Sequence, residues 1–532
     1  MTPPETGHSV RGFASPPLSN LITLGIILTV AWSPLQVGFL SDDYTLIGGV
    51  AREGLFASWG GFLRPVTVFT YGVDWALWHL WPTGFHLTNL LFHFANAALI
   101  YRIAKRFLGE SAPGTTALVS AWIFLALPSH GESVSWISGR TDLLATFFGL
   151  LATDILLGTS SDSSFGRVFV FALCFALSLL SKECTAPLPA VWLCGVSLSC
   201  ARASRRPHRA EMGSLAASAI VLIGWLVLRK LVLGSFIGGY GTDIHCGFHR
   251  VSIIKSIGRA LIRIFLPPLP GYVSEIITGP VLTTVALFPL AYAIAGAMDS
   301  ARRNTAGFWL LVWAVLGIPI SLVPCMTMAI PITHTSSERF LYLPGAFAAI
   351  AFAAAVGNWT SRKGAVAVLA AVCSQLWCTA KLDLRWVRAT ELAGAIAQEL
   401  GRYGGDDEVV ILNTADNFQG AYVLRNGTHE AATFFQGRKG ARTYRVLCSH
   451  DVLSLEDRFD WRVENGMFVL DLPEGRQAVP PSSGDSVRYQ PPSRVIVDPR
   501  AFRKTGRERF VYLARAGSPP CLAETRGDSF SQ

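Results

Sequence analysis

Long apolar stretches, separated by short polar ones, occupy most of this chain. A helix needs about 20 predominantly apolar residues to cross the hydrocarbon core of a bilayer. About eleven stretches approach this length, and they lie near residues 18–40, 87–107, 115–129, 140–158, 166–181, 185–200, 213–233, 279–298, 306–327, 340–357 and 364–382. The pattern predicts an all-α polytopic membrane domain over residues 18–382, preceded by a cytoplasmic tail at 1–17.

The composition also indicates a membrane protein. Of the 532 residues, 51% are hydrophobic and 15% are charged, and the mean hydropathy is +0.40. An average soluble protein is roughly one quarter charged. These values exclude a soluble enzyme, a disordered chain and a coiled coil, because only lipid accepts so much apolar surface without aggregation. The cysteines lack the CxxC spacing of a metal site, so no metal ligands are assigned.

The basic residues predict the orientation in the membrane. Lys and Arg are concentrated in the cytoplasmic loops of polytopic proteins, so the net charge of +9 indicates such loops rather than nucleic-acid binding. If the N-terminus is cytoplasmic, one side receives Arg102, Lys105, Arg106, Arg202, Arg205, Arg206, Arg209, Arg302, Arg303, Arg362 and Lys363. The tail at 383–532 is then extracytoplasmic. Lys255, Arg259 and Arg263 do not fit, and their i, i+4, i+8 spacing predicts an amphipathic helix on the membrane surface.

Charged residues gather where predicted spans end at the outer face. Asp42 and Asp43 are adjacent carboxylates, which repel each other and are costly near hydrocarbon. Such a pair suits general-base catalysis or binding of a divalent cation. Cations at several span ends suit a phosphate group, and they are Arg64, Arg140, Lys182 and Arg339. For any single cluster, the alternative is charged side chains that reach the membrane interface without a function.

A polar seam marks the start of the second predicted span. Its members are His86, Asn89, His93 and Asn96, whose spacing places them on one face of a helix. For His93 and Asn96 we favour hydrogen bonding between helices. His86 lies nearer the outer face, where a side chain can approach a substrate.

Six strings of residues occur in a characteristic order. They are SDDY, LRPVTVFTYGVDWAL, GFHLTNLLFHFANA, LPSHGESVSWISGRTDLLA, LSLLSKE and ERFLYLPG. Together they resemble the integral-membrane glycosyltransferases of the GT-C superfamily, in the branch of the transmembrane O-mannosyltransferases with TPR repeats and their bacterial relatives. The resemblance covers roughly residues 20–360. No repeats of TPR period follow the last span, which favours a bacterial relative and leaves the acceptor open.

The resemblance implies transfer of a sugar, with mannose as the candidate, from a polyprenyl-phosphate donor to an acceptor hydroxyl on the non-cytoplasmic face. In a bacterium this is the periplasmic face of the inner membrane. The acidic motif of the family falls on Asp42 and Asp43, which become the catalytic candidates, and a single base there implies inversion. By the same resemblance, the candidates for binding the donor phosphate are Arg140, Lys182 and Arg339. Arg64 is added because of its position at a span end. Candidate substrate-binding residues are His86, His130, Glu132, Glu183, Glu338 and Tyr342.

A multi-pass transporter with an extracytoplasmic domain is the competing interpretation. Transporters usually place ionisable groups near the bilayer midplane, at broken helices in repeated halves. Here the charged residues gather at one face, which favours the glycosyltransferase.

The tail at 383–532 has a different pattern. Short apolar runs predict strands at 408–413, 442–447, 467–472, 494–497 and 509–513. Asn465-Gly466 indicates a two-residue hairpin, and 478–492 is typical of a linker. We expect a small β-rich or α+β extracytoplasmic domain, and pairing of Cys448 with Cys521 stays open.

Overall fold

The fold is given by a computed structural model of the chain. The residues it describes are 18–54, 61–109, 114–159, 165–236, 250–268, 306–356 without 329 and 333, 362–403, 408–434, 443–472, 478–479, 487–490, 494–502, 508–516 and 521–525. The predicted tail at 1–17 and the predicted span at 279–298 lie outside the described residues.

Helices form the described part of the chain up to residue 401. They are α1 (Leu18–Trp32), α2 (Asp42–Glu53), α3 (Pro65–Trp78), α4 (Pro82–Leu108), α5 (Thr115–Ala126), α6 (Gly131–Ser135), α7 (Arg140–Leu157), α8 (Phe165–Ser181), α9 (Leu188–Ala203), α10 (Arg209–Leu233), α11 (Arg250–Phe265), α12 (Ala306–Leu322), α13 (Tyr342–Val356) and α14 (Arg362–Gly401). Pro65 and Pro82 begin α3 and α4, where proline is favoured because the first backbone N–H of a helix needs no partner within it.

Within the described ranges, six helical segments are long and apolar enough to cross a membrane. They are Ser19–Gln36, Glu183–Ala203, Arg209–Leu233, Ala306–Cys325, Glu338–Val356 and Lys363–Gly401, and α5 and α8 are shorter apolar helices. Lipid is as apolar as these helices, so their association depends on close packing and interhelical hydrogen bonds. Trp192, for example, donates from Nε1 to Thr153 Oγ1 at 2.8 Å. The chain is a multi-pass membrane protein, and the predicted helical membrane domain is confirmed.

The first predicted span ends earlier than its apolar pattern suggests. α1 stops at Trp32, a 3-10 turn follows at Pro34–Gln36, and α2 begins at Asp42 after a residue with positive φ, Ser41 (φ 46°). α2 and α3 pack against each other. The loop between the first two predicted spans is therefore largely helical.

The last membrane helix is longer than predicted. α14 is continuous over 40 residues, or about 60 Å, which is twice the ~30 Å hydrocarbon core. The predicted span end at 382 thus lies inside a helix. Charged residues such as Asp383 and Arg385 reduce the hydropathy there, but the buried face continues through Trp386, Ala389 and Leu392 into the C-terminal core.

The C-terminal unit is rich in β-structure. Its strands are β1 (Val409–Ile411), β2 (Thr414–Phe418), β3 (Ala421–Tyr422), β4 (Tyr444–Val446), β5 (Ser449–Val452), β6 (Trp461–Glu464), β7 (Met467–Asp471), β8 (Ala478–Val479), β9 (Val487–Gln490), β10 (Arg494–Val497), β11 (Arg509–Arg515) and β12 (Cys521–Thr525), with one helix, α15 (Thr428–Phe434). In the described part they form sheets of order β12-β11-β1-β4, β6-β7-β10-β9 and β3-β2-β5-β8.

Most of the C-terminal predictions are confirmed. All five predicted strands are present with slightly different ends. Asn465 and Gly466 both have positive φ between β6 and β7, as a type I′ hairpin requires. The predicted linker at 478–492 is wrong in part, because β8 and β9 fall within it. Cys448 is a free, buried thiol.

Candidate active site

Residues from distant parts of the sequence line one cavity of about 60 Å³. Its lining residues are Asp42, Phe62, Arg64, Trp136, Ser138, Thr141, Lys182 and Arg339. Asp42 begins α2, Arg64 precedes α3, Lys182 follows α8 and Arg339 lies in the 3-10 turn Glu338–Leu341. The structure therefore brings together one of the two predicted carboxylates and three of the four predicted cations.

Asp42 is the carboxylate that faces this cavity. Its Oδ1 accepts a hydrogen bond from Asn426 Nδ2 at 2.7 Å, and Asn426 belongs to the C-terminal unit. Burial raises the pKa of Asp42, while the Asn426 hydrogen bond and the charges of Arg339, Arg425 and Arg64 oppose the rise. A carboxylate with a raised pKa is a stronger base than an exposed aspartate.

Asp43 has a different environment, although it is the next residue. It is buried, and its two oxygens accept hydrogen bonds from Leu40 N at 3.0 Å, Ser138 N at 2.9 Å and Ser138 Oγ. Burial raises the pKa of Asp43 to about 8, against the effect of these donors. Asp43 therefore fastens the start of α2 to the Ile137–Gly139 turn.

Each cation of the cavity is paired with an acidic side chain. Arg64 Nη2 lies 2.6 Å from Glu183 Oε1. Lys182 Nζ lies 2.5 Å from Asp142 Oδ2. Pairing offsets part of the cost of holding a charged group away from water, and it fixes where the charge sits.

The third cation, Arg339, is held by both an acid and aromatic rings. Its backbone N–H donates to Glu132 Oε2 at 3.1 Å, and its guanidinium pairs with the same carboxylate. Nη1 also donates to Tyr422 OH at 3.0 Å, and the guanidinium lies 5.5 Å from the Trp136 ring centroid. Glu132, predicted to bind substrate, thus holds a cation at the cavity wall, as Glu183 does for Arg64.

Arg140 is not brought to the cavity. Its side chain is fully buried, with Nη2 2.5 Å from Asp74 Oδ2 and 2.9 Å from the Phe85 carbonyl oxygen. Its Nε donates to Asn89 Oδ1 at 2.7 Å. Arg140 thereby joins α7 to α3 and α4 and does not line the cavity.

Four of the predicted substrate-binding residues lie in the packed interior rather than in the cavity lining. They are His86, His130, Glu338 and Tyr342. Tyr342 OH contacts His93 Nδ1 at 2.7 Å and accepts a hydrogen bond from Asn96 Nδ2 at 3.2 Å, so the predicted interhelical role of His93 and Asn96 is confirmed. The His130 ring packs 4.5 Å from the Tyr342 ring. His86 is completely buried in α4.

Glu338 pairs with Arg263 of α11, and both side chains are almost fully buried. Arg263 is therefore not on a face exposed to lipid headgroups, whereas Lys255 and Arg259 are exposed. The spacing predicted that all three basic residues lie on one face of a helix at the membrane surface, and this is wrong for Arg263. The reason is that α11 packs its C-terminal end against the segments around Ser129 and Glu338.

Sequence reasoning missed three contacts in and around the site. Asp74, the partner of Arg140, carried a signal, because a lone carboxylate in an apolar helix needs a buried partner. Asn426 and Tyr422 carried none, since nothing in the sequence places the C-terminal unit against Asp42 and Arg339. Among the described residues, no group of three His, Cys, Asp or Glu side chains could hold a metal ion.

Solved structures similar to the chain include ArnT and AglB. ArnT from Cupriavidus metallidurans, solved with undecaprenyl phosphate, has a TM-score of 0.49 at 13% identity over 91% of this chain and 98% of that one. AglB, an oligosaccharyltransferase from Archaeoglobus fulgidus, has a TM-score of 0.43 at 11% identity over 88% of this chain and 77% of that one.

Curated relatives were found by sequence, although no family model matches. Human protein O-mannosyl-transferase TMTC3 is 27% identical over 149 residues, which cover 25% of this chain and 16% of that protein. Protein O-mannosyl-transferase F38B6.6 of Caenorhabditis elegans is 24% identical over 299 residues, or 53% of this chain and 40% of that protein. The chain spans less than half the length of these relatives. These two matches confirm the resemblance to the transmembrane O-mannosyltransferases that the six sequence strings indicated.

Proposed function

We propose that this chain is a membrane glycosyltransferase that transfers a sugar from a polyprenyl-phosphate donor to an acceptor hydroxyl. The observation that carries the proposal is the shared cavity, where Asp42 faces Arg64, Lys182 and Arg339. One carboxylate and several cations around a single space are the groups that this reaction needs. The names of the relatives support mannose as the sugar.

The three cations would bind the phosphate of the donor. Negative charge develops on this phosphate as its bond to the anomeric carbon breaks, and fixed cations stabilise that charge without reorganising. The arginines can each donate two hydrogen bonds to phosphate oxygens. The polyprenyl tail would lie in the bilayer beside the helices.

Asp42 would act as the general base. It accepts the proton of the acceptor hydroxyl while the hydroxyl oxygen forms a bond to the anomeric carbon and the lipid phosphate leaves. A single direct displacement inverts that carbon. Asp43 does not suit this role, because it is buried and three donors already occupy its oxygens.

We also propose that the cavity faces the non-cytoplasmic side, which in a bacterial inner membrane is the periplasm. Support comes from the loop cations at the opposite ends of the helices, such as Arg106 at the end of α4 and Arg202 at the end of α9.

The proposal is tested with purified protein and polyprenyl-phosphate mannose, by measuring release of the lipid phosphate and labelling of an added acceptor. Asp42→Asn should abolish both, because the amide cannot accept the proton. Its melting temperature should stay close to that of the parent protein. Asp460→Asn, at an exposed position of the C-terminal unit, is the matched control and should stay active. Full activity of Asp42→Asn would exclude the assigned base.

The phosphate role is tested at Arg64, whose partner Glu183 is the most exposed of the three acids. Arg64→Ala should reduce turnover on the order of a hundredfold. Glu183→Gln breaks the same ion pair but keeps the cation, so it should cost much less. Equal losses would mean that the pair matters only for folding. Uptake of a solute into vesicles without sugar transfer would favour the transporter instead.

A further inference from the structure

The C-terminal unit reaches into the proposed active site through one side chain. Asn426 lies in the short loop between β3 and α15, and its Nδ2 donates to Asp42 Oδ1 at 2.7 Å. These two residues are separated by 384 positions in the sequence. The contact therefore depends on how the whole C-terminal unit docks, rather than on local structure.

Three features fix the position of this loop against the start of α2. The backbone N–H of Ser41 donates to the Val423 carbonyl at 2.9 Å, and the backbone N–H of Asn426 donates to Ser41 Oγ at 3.2 Å. Gly427 has φ 75°, and a Cβ on it would lie 2.6 Å from the Ser41 carbonyl oxygen. Only glycine permits so close an approach in this conformation.

An ion pair within the C-terminal unit also restrains this loop. Arg425 donates from Nη2 to Asp416 Oδ2 at 2.6 Å and from Nε to Asp416 Oδ1 at 3.0 Å. The Arg425 guanidinium lies 4.4 Å from the Tyr422 ring centroid, and Tyr422 in turn contacts Arg339. A bidentate ion pair of this kind restricts the loop, so that Asn426 is preorganised beside Asp42.

We propose that Asn426 is a positioning residue for Asp42, an inference that rests on the proposed function. By donating to Oδ1, it fixes the rotation of the carboxylate so that the second oxygen receives the proton of the acceptor. A hydrogen bond donated to a carboxylate also favours its ionised form. The C-terminal unit is thus required to prepare the base.

The first test is the pH profile of kcat/KM for three substitutions. Asn426→Ala removes the donor, so the acid limb should move to higher pH by about one unit, which corresponds to one ordinary charge-assisted hydrogen bond. Asn426→Asp also adds a like charge and should shift it further. Asn426→Gln keeps a donor and should shift it less. Thr433→Ala, which removes hydrogen bonds within α15, should leave the profile unchanged.

The second test does not need catalysis. Carbodiimides label carboxyl groups in the protonated form, so mass spectrometry of the Asp42 peptide across pH reports the titration of Asp42. The labelling midpoint of Asn426→Ala should rise by the same amount as its acid limb. A parent protein without transferase activity would refute the proposed function, and the labelling would still measure the Asn426 contact.

Two results would overturn the inference. An unchanged pH profile and labelling midpoint in Asn426→Ala would show that the contact does not affect Asp42. Higher activity of Asn426→Ala at every pH would show that Asn426 blocks the acceptor rather than preparing the base.

Discussion

Asp42 and Asp43 show how the start of a helix gives two adjacent carboxylates different roles. Successive residues of a helix point in directions about 100° apart. Asp42 therefore faces the cavity, whereas Asp43 turns toward Leu40 and Ser138. The repulsion between the two is relieved because Asp43 is buried and holds its proton more tightly than an exposed aspartate does. One residue faces the cavity, and the other holds the start of α2 in place.

Asp43 should make stability depend on pH. Its pKa is about 8 in the folded protein and 3.8 without burial, so the folded state binds the proton more tightly. The stabilisation from Asp43 is complete below about pH 4 and is lost as the pH rises through about 8. Asp43→Asn mimics the protonated form and does not titrate. Its melting temperature relative to the parent protein should therefore rise steadily across this range.

Thermal unfolding in detergent at several pH values measures this difference, with Asp460→Asn as the control. All other titrating groups are shared by the parent and the variant, so their effects cancel. Parallel curves for the parent protein and Asp43→Asn would contradict the buried, protonated state of Asp43.

At the residue scale, the sequence predicted which side chains carry the proposed chemistry better than it predicted their partners. Asp42, Arg64, Lys182 and Arg339 were identified because each stands at the end of an apolar stretch. Arg140 stands at a similar position, but its partner Asp74 lies on α3. A linear pattern cannot distinguish a cation that faces a cavity from one that joins two helices, because that depends on the rotation of each helix.

At the element scale, ion pairs join the helices around the site. Arg140 of α7 pairs with Asp74 of α3 and donates to the Phe85 carbonyl of α4. Arg263 of α11 pairs with Glu338 beside Arg339. Each pair is nearly inaccessible to water, so the loss of one partner leaves an unneutralised charge in the interior.

The Arg140–Asp74 pair should therefore matter for folding rather than for donor binding. Arg140→Ala or Asp74→Ala alone should destabilise the protein by about 3–5 kcal/mol, because each leaves a buried charge without its partner. Replacing both with apolar residues, as in Arg140→Met with Asp74→Leu, should restore much of the stability. Melting temperature and the yield of monodisperse protein report these effects. A stable Arg140→Ala that only loses affinity for the donor would instead restore Arg140 as a phosphate ligand.

The elements themselves could be predicted where one periodicity governs a segment. Apolar stretches predicted the membrane helices, and short apolar runs predicted the strands. α14 shows the limit: its hydropathy falls at Lys381, Asp383 and Arg385, but its helical periodicity continues to Leu400. High hydropathy indicates contact with lipid, whereas helical periodicity of apolar residues indicates burial of one face against protein. In the second half of α14, that face packs against the C-terminal unit.

At the scale of the whole molecule, the C-terminal unit and the cavity must lie on the same side of the membrane. The contacts of Asn426 with Asp42 and of Tyr422 with Arg339 require it. The loop cations at the opposite helix ends then predict that this side is not the cytoplasm. Reporter insertions at two exposed turns test the arrangement: Asn465, in the β6–β7 turn, and Ser204, directly after α9.

Alkaline phosphatase, which is active only outside the cytoplasm, should be active when inserted at Asn465 and inactive at Ser204. Green fluorescent protein, which fluoresces after folding in the cytoplasm, should show the reverse pattern. The reason is electrostatic, since Arg202, Arg205 and Arg206 surround Ser204 and such clusters are retained on the cytoplasmic side. Equal signals at both positions, or the opposite assignment, would place Asp42 in the cytoplasm. A donor presented at the outer face could not then reach the base, and the proposed reaction would have to be abandoned even with the cavity intact.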